Sequence, residues 1–233
     1  MAEDEPGTQR IARRYRERDA SAALSGFWTL RNPVVLHGAQ ERERVVLELL
    51  SQQRVELTGL RLLDLGCGAG GEFGHYLRWG AARSDLVGVD LMLQRLQAAQ
   101  GRHGCRFVQA SGAALPFATA SFDLVVQNVV FSSIVEAALR QQVAAEMLRV
   151  LRPGGWLLWY DAERTRNRDL SFRAVPRAEV ERLFPGVRWQ WRPLSSDLGL
   201  ATRVERWFGH RALPLLDGMR VFRTHGLGLG QRP

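Results

Sequence analysis

Residues 61–71 read Arg-Leu-Leu-Asp-Leu-Gly-Cys-Gly-Ala-Gly-Gly. An apolar, strand-like run ends in an acid and passes directly into a glycine loop. Gly66, Gly68 and Gly71 satisfy the spacing G-x-G-x-x-G, in which the backbone approaches a dinucleotide's pyrophosphate at the start of a helix. Gly66, Gly68 and Gly70 also spell G-x-G-x-G, three positions whose missing side chains let a ligand lie on the backbone. Asp64 stands two residues before the first glycine. A carboxylate expected to project from that strand end repels a pyrophosphate and attracts a cationic group.

That electrostatic preference points away from NAD and toward S-adenosylmethionine, which offers an ammonium and a sulfonium and carries no phosphate. A second apolar run, Leu86-Val87-Gly88-Val89-Asp90, ends in another acid twenty residues after Gly70, the spacing at which a carboxylate accepts hydrogen bonds from ribose hydroxyls. From this point the chain resembles the class I S-adenosylmethionine-dependent methyltransferases, specifically the small-molecule, type 11 kind. The resemblance continues through Leu115-Pro116-Phe117, Phe122-Asp123-Leu124-Val125-Val126 and Leu151-Arg152-Pro153-Gly154-Gly155, and covers roughly residues 40–165. It implies an α/β fold: a Rossmann-like, seven-stranded, mostly parallel sheet with helices on both faces, an antiparallel last strand and an N-terminal helical cap.

The apolar and polar patterns agree with alternating strands and helices. Strands are expected at 62–65, 86–89, 107–109, 124–127 and 156–160, with helices after Gly71, Asp90 and Val135. Val45, Val46, Leu49 and Leu50 form one stripe of a helix over 40–52. Leu139, Val143, Met147 and Leu151 recur every four residues, a core stripe expected to run until Pro153-Gly154-Gly155 stops it. Residues 1–38 read as a cap or lid and 39–233 as the cofactor-binding domain. By resemblance the last two strands lie at 187–193 and 225–230, and residues 195–224 form a long insertion between them. Short helices are expected there around Trp207 and Leu213–Leu216.

The resemblance assigns roles to residues at the strand ends. Asp64, Gly66, Cys67, Gly68 and Gly70 would hold the methionine part, and Asp90 with Leu91 the ribose and one adenine face. Ser111 stands where the family usually has an acid for the adenine amine, followed by Gly112 and Ala113, so a hydroxyl or backbone carbonyl would accept that bond instead. Gln127 and Asn128 close the cofactor site after the fourth strand, and Phe131 lies on the acceptor side. The signature of amino-group methylation on nucleobases is absent there. His225, Tyr160 and Asp161 are candidates for a catalytic base. Tyr15 is a candidate lid residue, and Arg164 and Asn167 are candidates for an anionic group on the acceptor.

Composition narrows the partners. All 32 basic residues are arginine, and the formal net charge is +8. Apart from residues 10–18 and 164–168 the arginines are scattered, which reads as solvated surface and not as a nucleic-acid stripe. Cys67 and Cys105 form no metal-ligand spacing with each other or with histidine, so no metal is expected and reduced thiols are. The sequence has neither a charged-then-apolar leader nor a run of eighteen apolar residues. The expectation is a cytoplasmic enzyme with a small-molecule acceptor and no membrane partner. An RNA methyltransferase and a non-catalytic cofactor-binding subunit are the alternatives, and the sequence gives no oligomeric state.

Overall fold

The computed structural model describes residues 7–20, 27, 29–165 and 172–233. Seven strands form one sheet in the order β3-β2-β1-β4-β5-β7-β6. They are β1 Leu62–Leu65, β2 Leu86–Asp90, β3 Arg106–Gln109, β4 Phe122–Asn128, β5 Leu151–Ala162, β6 Arg188–Ser196 and β7 Arg223–Gln231. All neighbours pair in parallel except β7, which runs antiparallel to both β5 and β6. β1 lies between β2 and β4, so the winding reverses beside it and opens a crevice at the carboxyl ends of the strands. β1, β2 and β4 are buried almost end to end, as continuous apolar strands covered on both faces must be.

One face of the sheet carries α2 (Pro33–Gln52), α3 (Phe73–Arg78) and α4 (Leu93–His103). The other carries α5 (Ala137–Val150) and α6 (Arg177–Leu183). α2 begins where Asn32-Pro33 dictates: the Asn32 side chain accepts from the Val34 amide at 3.0 Å, and Pro33 fills the first turn, where no amide is needed. It then runs unbroken through residues 38 and 39.

α5 stops at Val150, earlier than its four-residue stripe suggests. Leu151 is already extended (φ −76°, ψ 133°) and pairs with Phe122 as the first residue of β5. Pro153 biases the residue before it toward extended backbone, so its influence reaches upstream. The insertion between β6 and β7 holds two helices, α7 (Leu198–Phe208) and α8 (Leu213–Gly218), which pack through Ala201, Leu213 and Leu216 against Val34 of α2. One further helix, α1 (Gly7–Ala20), lies over the crevice, with Ile11 against the α5 side of the core.

Candidate cofactor and acceptor site

The glycine loop is built by the end of β2. Gly66 and Cys67 both donate their amides to the Val89 carbonyl, at 2.7 and 3.0 Å, and the Gly68 amide donates to Asp90 Oδ2 at 2.9 Å. Gly66 and Gly68 have φ values of 71° and 55°, left-handed conformations that strain a residue with a side chain. A Cβ on Gly66 would stand 2.5 Å from Val130 Cγ2, whereas one on Gly68 would enter open space with only Arg95 Nη1 near it. The second glycine is therefore a cradle that any side chain would fill. Gly70 serves packing: a Cβ there would strike His103 and Ala99 of α4.

Above the loop lies a cavity of about 630 Å³. Its floor is Leu65, Gly66, Gly68, Val89, Asp90, Leu91 and Met92, and a second side is formed by Ala110, Ser111 and Gly112 after β3. Asn128, Val129, Val130, Ser133 and Ile134 after β4 continue the wall toward Leu139 and Val143 of α5, and Thr8, Ile11, Ala12, Tyr15 and Asp19 of α1 roof it. α1 is fastened at several points. Tyr15 Oη lies 3.0 Å from Ser133 Oγ, Arg95 forks onto Asp19 at 2.8 and 2.5 Å and lies 4.6 Å over the Tyr15 ring, and Arg10 pairs with Glu136 at 2.8 Å.

Asp90 is the most informative side chain of this wall. Its two oxygens accept the Gly68 and Met92 amides, each at 2.9 Å, and each retains acceptor capacity toward the cavity. The arrangement suits a pair of vicinal hydroxyls. Ser111 Oγ is turned to the Ala113 amide at 3.2 Å, which leaves the backbone around Ser111 and Gly112 to line the cavity.

Several residues named from sequence stand elsewhere. Asp64 does not line this cavity, because strand side chains alternate: Leu65 faces the cavity and Asp64 faces the α2–α3 side. There it is buried, and accepts from the Tyr76 hydroxyl at 3.2 Å. Burial and the Glu72 and Asp90 carboxylates push its pKa well above the usual carboxylate range. Cys67 is buried beneath the loop beside Gly88, and burial together with Asp64 and Asp90 holds its thiol protonated. Gln127 braces the backbone, donating to the Tyr160 carbonyl and accepting from the Val130 amide at 3.1 Å. Phe131 is fully buried against Trp159 and Phe184. Ala113 also lies off the wall.

The three candidate bases are not brought together in the cavity. Tyr160 and His225 stack at 5.2 Å on the α2 side of the sheet, with Arg42 5.1 Å over the Tyr160 ring. Burial and Arg42 push His225 down to about 4. Asp161 sits under the turn after β4, accepting the Ser132 and Ala162 amides at 3.1 and 2.8 Å, and burial raises it to about 6. Arg164 donates to the Arg223 carbonyl at 2.5 Å and so braces the insertion. Asn167 lies outside the described residues.

Sequence reasoning missed Arg95 and Arg42. Arg95 stands in the first turn of α4, just after the β2 end that carries Asp90, and couples the roof to the floor. Arg42, on α2, pairs with Glu72 at 2.5 Å in a small cleft lined also by Tyr76, Asn128 and Leu158. Asn128 borders both this cleft and the main cavity, placing a cation near the glycine loop. Arg140, wholly buried, is not surface charge at all: it donates to the Ile134 carbonyl at 2.6 Å, pairs with Glu179 and fixes the turn behind the acceptor side.

Residues 63–159 match the family described as Methyltransferase domain. Over those residues the chain is similar to the class I S-adenosylmethionine-dependent methyltransferases. Among related chains, it is 35% identical over 127 residues to phthiotriol/phenolphthiotriol dimycocerosates methyltransferase 1 of Mycobacterium ulcerans, over 52% of this chain and 44% of the relative. It is 32% identical over 134 residues to fatty-acid O-methyltransferase of Mycolicibacterium smegmatis, covering 55% and 47% of the two chains. The chain thus spans about half the length of the relatives it matches. The fold is similar to that of an S-adenosylmethionine-dependent methyltransferase from Mesorhizobium loti, with a TM-score of 0.59 at 19% identity over 79% of this chain and 96% of that one.

The residues of the methyltransferase domain fit the cofactor on their own geometry. The side-chain-free cradle at Gly68, the acceptor capacity of Asp90 and the apolar surfaces of Leu91 and Met92 are what a nucleoside with a charged amino-acid arm requires. Such a cofactor supplies an activated methyl group. What the chain would add is alignment and exclusion of water under α1.

Proposed function

We propose that this chain transfers the methyl group of S-adenosylmethionine to an apolar small molecule held between α1 and the end of β4. The observation that carries the reading is the roofed cavity, whose acceptor side is Ile11, Ala12, Ile134 and Leu139 with few polar groups, Thr8 and the bonded pair Tyr15 and Ser133. On the acceptor side the charge of Asp19 is already met by Arg95, and the spare capacity of Asp90 lies on the cofactor side, beside the glycine loop. An uncharged acceptor matches such a lining. Asp90, Gly66, Gly68, Leu91, Ser111, Gly112 and Asn128 hold the cofactor in this proposal, Arg42 stands near its amino-acid end, and Tyr15 orients the acceptor. The transfer is an in-line displacement on an activated carrier, so positioning supplies most of the acceleration.

The names of the bacterial relatives, which include a fatty-acid O-methyltransferase, support an acceptor of lipid-like character in biosynthetic metabolism. The two free, buried cysteines accord with the cytoplasm. A space closed over by α1 suits a small molecule better than an RNA strand. The test is transfer of tritium from methyl-labelled S-adenosylmethionine to a panel of a long-chain fatty acid, a fatty alcohol, a phenol and an RNA transcript. Label in an apolar compound is expected. Label in the RNA, or in nothing while the cofactor binds, would contradict the proposal.

A further inference from the structure

α7 has an apolar stripe that outruns the protein. Leu200, Ala201 and Val204 occupy one face and pack with Val34, Leu213 and Leu216. At 3.6 residues per turn the same face continues to Trp207 and Phe208, three and four residues beyond Val204. Here the body of the protein ends. Trp207 and Phe208 are each 76% exposed, and so is Leu215 on the outer side of α8, with Val221 at 69%. Around them stand exposed Arg206, Arg211 and Arg220, against the half-buried Glu205, while Asp217 is turned inward to His37 and Ser196.

We propose that the α7–α8 insertion is a docking surface for an anionic lipid bilayer. Protruding tryptophan and phenylalanine beside arginine suit the interface of a membrane, where rings enter the headgroup boundary and guanidinium groups meet lipid phosphates. The cationic rim disfavours a second copy of this chain, since a two-fold contact would set arginine against arginine. The side chains project outward, three of them about three-quarters exposed, which fits a soft surface that rings can enter. β6 is parallel to β5 and ends at Ser196, so the insertion leaves from the carboxyl edge of the sheet, the edge that holds the cavity. Docking would bring that edge to the bilayer. No helix among the described residues is long and apolar enough to cross a membrane, so the contact is one of lying on the surface. This inference goes beyond the proposed reaction and does not depend on it.

The test is cosedimentation of the full chain with vesicles of phosphatidylcholine alone and of phosphatidylcholine with phosphatidylglycerol, at low and high salt. Binding only to the phosphatidylglycerol vesicles, weakened by salt, is expected. Trp207→Ala with Phe208→Ala should reduce it about tenfold or more, with unchanged thermal melting and unchanged calorimetric affinity for S-adenosylmethionine. Absence of binding to anionic vesicles, equal binding by the double variant, or self-association lost in the double variant without vesicle binding would each overturn the proposal. Because no methyl acceptor enters the assay, its failure is separable from failure of the proposed reaction.

Discussion

Two carboxylates stand near the ends of neighbouring strands and meet opposite fates. Asp90 faces the cavity with acceptor capacity to spare, while Asp64 is buried under Tyr76 with its proton favoured. Replacing Asp90 with alanine should weaken S-adenosylhomocysteine binding by about 100-fold or more, the loss of two hydrogen bonds to a charged acceptor. Arg164→Ala, which removes a brace far from that wall, should leave the affinity unchanged; calorimetry of both variants checks the pair. Asp161 makes a pH prediction. Its pKa of about 6 in the folded protein exceeds the unfolded value of about 4. The fold therefore gains a proton that the unfolded chain lacks as pH falls between these values, and this contribution stabilises the fold toward acid and is lost as pH rises through about 6. His225, pushed down to about 4, has the opposite sign, but it is common to wild type and Asp161→Asn and cancels in their comparison. The melting-temperature difference between the two should shift in favour of wild type on going from about pH 7.5 to about pH 5. A constant difference would contradict the burial argument.

The roof and the insertion are held by different kinds of contact. α1 rests on exposed or half-exposed ion pairs and on the Tyr15–Ser133 bond, contacts of modest individual worth. Tyr15→Phe should accordingly raise the acceptor KM a few-fold, by about the worth of one hydrogen bond, with cofactor affinity unchanged; an unaltered KM would remove Tyr15 from the acceptor side. The insertion is anchored more firmly, because Glu41 of α2 is buried, pairs with Arg223 and accepts the Ser195 amide at 3.2 Å. Glu41→Ala leaves the Arg223 cation with only the more distant Asp217 carboxylate, at 3.9 Å, and should cost about 2 kcal/mol in a denaturant titration. Much of this scale was legible in the chain: the apolar runs mark β1, β2 and β4, and Trp207 and Leu213–Leu216 lie in the two helices expected there, whereas α2, expected over 40–52, begins at Pro33. The faces were not legible. Whether Leu65 or Asp64 looks into the cavity depends on where α1 and α2 settle, and the Arg95–Asp19 fork joins residues 76 positions apart.

At the scale of the molecule, the glycine loop, the acid after β2 and the reversal of winding beside β1 converge on one crevice, and α1 turns that crevice into a cavity. The seven-stranded, mostly parallel sheet with its antiparallel last strand was reached through resemblance to a family, and the strand order came only with the structure, since local pattern says which runs are strands and not which are neighbours. The insertion adds a surface on the same edge of the sheet. The central claim is that the cavity takes S-adenosylmethionine and not a dinucleotide, although Gly66, Gly68 and Gly71 satisfy the dinucleotide spacing. Calorimetric titration of the purified chain with S-adenosylmethionine, S-adenosylhomocysteine and NAD decides it. One-to-one binding of the first two, strongly reduced in Asp90→Ala, with no heat from NAD is the expected result; saturable binding of NAD with none of S-adenosylmethionine would contradict the account.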